Sequence, residues 1–219
     1  MASRQLVDRA ALLVVPTQDL TDADDAALGR ALIEGDAAAP GVAWSRFSPL
    51  VRRVLRRSFG PEHEVEDLVQ DVFLGLFDRV TKLRDPRALR AFVISIAVHT
   101  VRYEIRRRRV RRWVGLARNA ETPDLRVVHP NVDARAALVR FYRILDTLRT
   151  RDRTAFVLHF IEGLDLLAVS NALGISLPTA RRSLAHAWAR VQLLAGRDPL
   201  LVECVGDLIG AAKPGERDR

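Results

Sequence analysis

The chain has 219 residues, 48% hydrophobic and 28% charged, with 35 Lys and Arg against 27 Asp and Glu for a net charge of +8. That length allows one or two packed cores, and the apolar content excludes a wholly disordered chain. No apolar run reaches the roughly 18 residues of a membrane span and the N-terminus lacks a signal-peptide pattern, so a cytoplasmic protein without membrane insertion is expected.

The charge is unevenly spread: residues 1–40 carry three basic and seven acidic residues, whereas residues 41–113 carry seventeen basic and eight acidic. Thr21 and Asp24 predict the start of a short helix carrying Leu28, Leu32 and Ile33 and ending at Gly35. A break is expected at Pro40-Gly41. A second helix then runs to Gly60-Pro61, with a kink or restart at Pro49. The strongest helical period follows, where Val65, Leu68, Val69, Val72, Phe73, Leu76 and Phe77 form one apolar stripe. Its other faces are acidic, and such a helix meets either solvent or a basic protein surface.

Asp85-Pro86 predicts a cap and a first-turn proline for a helix carrying Leu89, Phe92, Val93, Ile96, Ala97 and Val101. This helix runs into Arg106, Arg107, Arg108, Arg109, Arg111 and Arg112. Six arginines in seven positions repel one another, and a phosphate chain relieves that cost; a solvated helix end is the plainer alternative. Residues 115–132, with Gly115, Pro123 and Pro130, read as a linker.

Beyond the linker, Leu138, Tyr142, Leu145 and Leu148 predict one helix, and Phe156, Val157, Phe160 and Ile161 predict another that ends at Gly163. The segment from Leu166 to Leu173 is short and stops at Gly174. Ser176 is then placed to cap a helix with Pro178 in its first turn and Leu184, Ala187, Trp188 and Val191 on its inner face. Short helix, glycine turn and capped second helix form a helix-turn-helix pattern. Thr179, Arg181, Arg182, Ser183 and His186 occupy the faces left free and are the predicted DNA contacts, against the alternative of a merely solvated face.

The remaining chemistry is sparse. One cysteine, Cys204, and five histidines without metal-ligand spacing predict no metal site, and the absence of a phosphate-binding glycine loop predicts no nucleotide cofactor. His99, Tyr103 and Glu104 are near in sequence but lack a nucleophile and oxyanion donors, so no enzyme is expected.

Three stretches resemble the extracytoplasmic-function group of bacterial sigma factors, within the sigma-70 family. Glu66 to Phe77, EDLVQDVFLGLF, is similar to the core-binding helix of region 2, and Leu89 to His99, LRAFVISIAVH, is similar to the helix that recognises and opens the −10 element, although Phe92 stands where tryptophan is usual. Glu162 to Ala187, EGLDLLAVSNALGISLPTARRSLAHA, resembles region 4, whose recognition helix reads the −35 element.

The resemblance implies an all-α fold of two small helical domains joined by a flexible linker. The expected division is an acidic extension over 1–41, a region 2 bundle over 42–113, a linker over 114–135, a region 4 helix-turn-helix over 136–192 and a tail over 193–219. It further implies that Asp67, Gln70 and Asp71 face the clamp helices of core RNA polymerase. The loop from Thr81 to Arg87 would lie by a flipped −10 base, with Phe92, Ser95 and His99 near the melted strand and the arginine run among the −10 DNA contacts. Promoter DNA and core polymerase are the implied partners, and an anti-sigma protein holds many members of the group inactive. The rival reading is a stand-alone helix-turn-helix regulator that binds a palindromic operator.

Overall fold

The computed structural model describes residues 24–61, 63–113 and 132–202, which form helices and turns. Helix α1 (Asp25–Glu34) begins where the Asp24 carboxylate accepts from the Ala27 amide at 2.6 Å, satisfying one of the free amides of the first turn. The cap is thus Asp24; Thr21 lies outside the described residues.

Helix α2 (Ala39–Phe59) corrects the break expected at Pro40-Gly41 and the restart allowed at Pro49. Pro40 lies in its first turn, where no amide hydrogen is required, so Pro40-Gly41 starts the helix and does not break the chain. The helix also continues through Pro49 without restarting. Pro49 and Ser45 both face solvent, so water can meet the Ser45 carbonyl that loses its amide partner.

Helix α3 (Glu66–Arg79) buries Val69, Val72, Phe73 and Leu76 against α2 and the next long helix. The connection contains two short 3₁₀ turns, Val80–Lys82 and Pro86–Ala88, and the Asp85 carboxylate accepts from the Arg87 amide at 3.0 Å. Helix α4 (Leu89–Trp113) then spans 25 residues.

Helix α1 packs closely on the Pro86 turn, and the absence of a side chain at Gly29 permits it: a Cβ there would lie 2.7 Å from the Pro86 carbonyl oxygen. Alanine in place of a helical glycine ordinarily stabilises by about 1 kcal/mol. Here overlap with backbone reverses the sign, so Gly29→Ala is expected to lower the melting temperature in thermal denaturation followed by circular dichroism. A raised melting temperature would contradict this close approach.

The second unit comprises α5 (Val132–Thr147), α6 (Thr150–Phe156) with a π turn over Val157–Ile161, α7 (Leu166–Leu173) and α8 (Leu177–Ala195). The inner face of α5 is Ala137, Ile144 and Leu145, with Leu148 just beyond it; Leu138, expected on that stripe, is exposed. Its core is aromatic, with Trp188 stacked on Phe160 at 4.8 Å and Phe156 nearby. The two units are not simply tethered. Ala155, Leu158, Leu166, Val169, Leu173 and Leu184 of the second unit join the apolar cluster built by α1 to α4.

Polar bonds reinforce that junction. Arg102 donates to the Leu173 carbonyl at 3.1 Å, Arg109 to the Leu148 carbonyl at 3.0 Å, and the Tyr142 hydroxyl to the Arg57 carbonyl at 3.1 Å. The buried Arg153 donates from Nε and Nη2 to the Ser58 carbonyl at 3.1 and 2.6 Å and also pairs with Asp146.

Candidate nucleic-acid interface

The helix-turn-helix is formed by α7 and α8. The Asp165 carboxylate caps α7 by accepting from the Ala168 amide at 2.7 Å, and Gly174 takes the left-handed conformation at φ 63° that closes the turn. Ser176 occupies the cap position of α8, but its side chain bonds to no amide; its hydroxyl lies 2.9 Å from that of Thr179 instead.

Ala180, Leu184, Ala187, Trp188 and Val191 turn inward and anchor α8, leaving Arg181, Arg182 and His186 exposed. Thr179 is half-buried. Ser183 differs from its expected place: it is 2% exposed, on the floor of a cavity, with no hydrogen-bond partner for its hydroxyl. His186 is held from below, its Nδ1 lying 3.0 Å from Asp152 Oδ2.

On α4, Phe92, Ser95 and His99 share a face by their spacing. Phe92 and Ser95 line a cavity of about 380 Å³ whose opposite wall is Leu167, Ala168 and Asn171 of α7, while His99 is exposed. The Ser95 hydroxyl donates to the Phe92 carbonyl at 2.7 Å.

The arginine run is less free than its sequence implies. Glu104, buried, accepts from Arg107 at 3.2 Å and from Arg108 at 2.8 Å, and Arg108 also lies 4.7 Å over the Phe59 ring. Arg106 donates to the Arg102 carbonyl at 3.2 Å, and Arg111 is exposed. The Arg112 side chain lies outside the described residues.

The third surface is acidic. Asp67, Gln70 and Asp71 are exposed on α3 and, by three- and four-residue steps, share a face with Leu74 and Asp78. Leu74 is 68% exposed and escaped the sequence reading, because an apolar residue in an apolar helix looks like core. Glu66 is set apart from that face by Arg52, which donates to its carboxylate at 2.9 and 3.0 Å and holds it below the usual carboxylate range.

Two helical units, one a helix-turn-helix with exposed arginines and the other joining an acidic helix to an arginine-rich one, define a helical DNA-binding protein. The sigma-70 region 2 family model matches residues 43–111, and the sigma-70 region 4 model matches residues 138–191. The chain belongs to the sigma-70 family of RNA polymerase sigma factors, in its extracytoplasmic-function group.

It is 28% identical over 175 residues to the RNA polymerase sigma factor NccH of Alcaligenes xylosoxydans, covering 78% of this chain and 94% of that protein. It is 29% identical over 156 residues to CnrH of Cupriavidus metallidurans, covering 65% and 79%. The ECF sigma factor SigJ of Mycobacterium tuberculosis is 32% identical over 177 residues, covering 75% of this chain and 55% of SigJ. Among solved structures, CnrH in complex with the cytosolic domain of CnrY superimposes with a TM-score of 0.57 at 24% identity, covering 80% of this chain and 98% of that one. RpoE of Bartonella quintana, solved with the anti-sigma factor NepR, gives 0.53 at 22% identity, covering 71% and 95%. These likenesses confirm the helical fold. No described helix is long and apolar enough to cross a membrane.

Proposed function

We propose that this chain binds core RNA polymerase through the exposed face of α3 and directs it to promoters, acting in the cytoplasm as a specificity subunit and not as an enzyme. In this reading residues 42–113 form the unit that engages the −10 element through Phe92, Ser95, His99 and the arginine run. Residues 136–192 form the unit that docks α8 at the −35 element through Thr179, Arg181, Arg182 and His186, with Ser183 beneath them. Nucleotide addition belongs to the polymerase. CnrH and RpoE were each solved with a protein partner, and an anti-sigma partner of that kind is part of the proposal.

The observation that carries the reading is the partition of charge between surfaces. Asp67, Asp71 and Asp78 flank the exposed Leu74 on α3, whereas Arg181 and Arg182 stand on α8 and arginines crowd the end of α4. An acidic face repels phosphate and suits a basic protein, and an apolar residue at its centre gives such a contact a dry core. Co-purification with core polymerase followed by run-off transcription tests the reading. Operator binding by the chain alone, with no polymerase association, would favour the stand-alone regulator.

The paired substitution Asp67→Lys and Asp71→Lys is expected to weaken core-polymerase binding by tenfold or more, at least about 1.4 kcal/mol, as for reversed charges at a complementary interface. Exposed charge changes seldom alter stability by more than about 0.5 kcal/mol, so helicity and melting should be retained. Undiminished pull-down would remove this face from the contact.

A further inference from the structure

Beside α8 lies a cavity of about 380 Å³ lined by Arg149, Arg151, Asp152, Arg182, Ser183 and His186, with Thr179 at its edge. Three exposed arginines converge there from two elements, Arg149 and Arg151 from the start of α6 and Arg182 from α8. One carboxylate opposes them. Asp152, also buried, is occupied through Oδ2 by His186 at 3.0 Å, and its Oδ1 lies 3.7 Å from Arg151 Nε.

One buried donor in this cavity, the Ser183 hydroxyl, lacks a hydrogen-bond partner, while Asp152 Oδ1, also without a hydrogen bond, is an acceptor that faces Arg151 and opposes an anion. A buried hydroxyl without an acceptor is costly unless something enters to meet it. The arginine excess adds a second mismatch. Arg102, across the junction, is held below its ordinary pKa by burial and then by repulsion from Arg106 and Arg151, so positive charge is crowded along this edge.

We propose that Arg149, Arg151 and Arg182, with the Ser183 hydroxyl below them, bind one backbone phosphate of the DNA on which α8 docks. A phosphodiester presents the anionic oxygens that guanidinium groups donate to in pairs and that a hydroxyl can reach with a single bond. The contact carries no base information. It fixes the depth and angle at which α8 meets the duplex, and so positions Arg181 for the base edges. Asp152 holds His186 at the rim through the contact of its Oδ2 with His186 Nδ1. The proposal rests on the assignment of α8 to promoter DNA and adds Arg149 and Arg151, which lie outside the helix-turn-helix.

The test uses the full chain with core polymerase on a promoter it selects, and the full chain alone at low salt, each with duplexes carrying one neutral methylphosphonate linkage at a time along the −35 segment. For the parent protein, one linkage is expected to cost about tenfold in affinity, the scale of a charge-assisted bond. Arg149→Gln and Arg151→Gln should each lose a similar factor on unmodified DNA and little more at that linkage. Their base preference over a −35 library should be unchanged, and the slope of log affinity against log salt should fall by about one for the double variant. Ser183→Ala should reduce affinity by about fivefold without lowering the melting temperature, since it removes an unpartnered buried hydroxyl. Arg151→Lys should restore part of the binding.

Losses that simply add to those of every linkage, or variants that bind like the parent, overturn the proposal. Titration with inorganic phosphate distinguishes a free anion from the backbone: if it binds the cavity while no linkage couples to the variants, the DNA assignment is wrong. Linkage coupling in the chain alone, with no polymerase-dependent initiation by the parent, would defeat the sigma-factor reading and leave the phosphate site standing.

Discussion

Glu162→Arg is expected to detach the second unit from the first. The Glu162 side chain is 1% exposed, and its two oxygens accept from Arg53 Nε at 3.0 Å and Arg57 Nη1 at 3.2 Å on α2. Arg57 also donates to the Ile161 carbonyl at 2.8 Å, so the carboxylate and the end of the π turn hold α2 together. Reversing its charge gathers three cations where one anion joined two. Breaking a buried pair costs about 3–5 kcal/mol, and the partial exposure of Arg53 and Arg57 places this case at the low end.

The remaining junction is partly apolar, through Leu158, Leu166 and Leu173, and partly polar, through Arg102 and Arg153. Domain interfaces permit relative motion unless they are large and apolar, so a loss of that size at a junction of this mixed kind is expected to free the second unit. Small-angle scattering should therefore show a larger radius of gyration for Glu162→Arg, and calorimetry should resolve two transitions in place of one. The same separation uncovers Phe92 and Ser95, whose cavity is walled by α7. An unchanged radius and a single transition would show that the apolar contacts alone hold the units together.

Such a junction could not be read from the sequence, and the reason is distance along the chain. The local signals were legible: Asp24 and Asp85 accept from nearby amides, and Gly174 closes its turn at positive φ. Those depend on residues two or three positions apart. Arg153, by contrast, is a charged residue that periodicity assigns to a surface, and it is buried because the Ser58 carbonyl, 95 residues away, accepts two of its donors. Pro40 and Pro49 misled for another reason, since a proline marks a break only when its helix would otherwise need the missing bond or space. In α2 one falls in the first turn and the other faces solvent.

The site divides the same way. Arg181 and Arg182 were found because the apolar spacing of α8 leaves their faces free, and the same spacing placed Ser183 with them, although α6 covers it in the fold. Arg149 and Arg151 gave no signal at all, because only the packing of α6 on α8 brings them to His186.

That packing makes Trp188→Ala the second large effect, and it separates holding α8 in place from reading DNA with it. Trp188 stacks on Phe160 at 4.8 Å and lies 6.3 Å from Phe156, within a cluster that also takes in Leu145, Ala187 and Val191. Truncating a buried tryptophan leaves a cavity that close-packed neighbours fill only partly, at a cost of about 3–5 kcal/mol. Trp188 is the largest side chain that α8 buries, so Trp188→Ala should lower the melting temperature of the second unit sharply and abolish −35-dependent initiation with it. Arg181→Ala touches none of that cluster. It should keep the parent's melting temperature and lose about 1–3 kcal/mol of preference if Arg181 reads a guanine, measured as altered selection from a −35 library at fixed salt. Trp188→Phe, which restores most of the ring contact, should recover both melting and initiation. If Trp188→Ala melts like the parent yet fails to initiate, Trp188 contacts DNA or polymerase directly, and the inner and outer faces of α8 have been assigned the wrong way round.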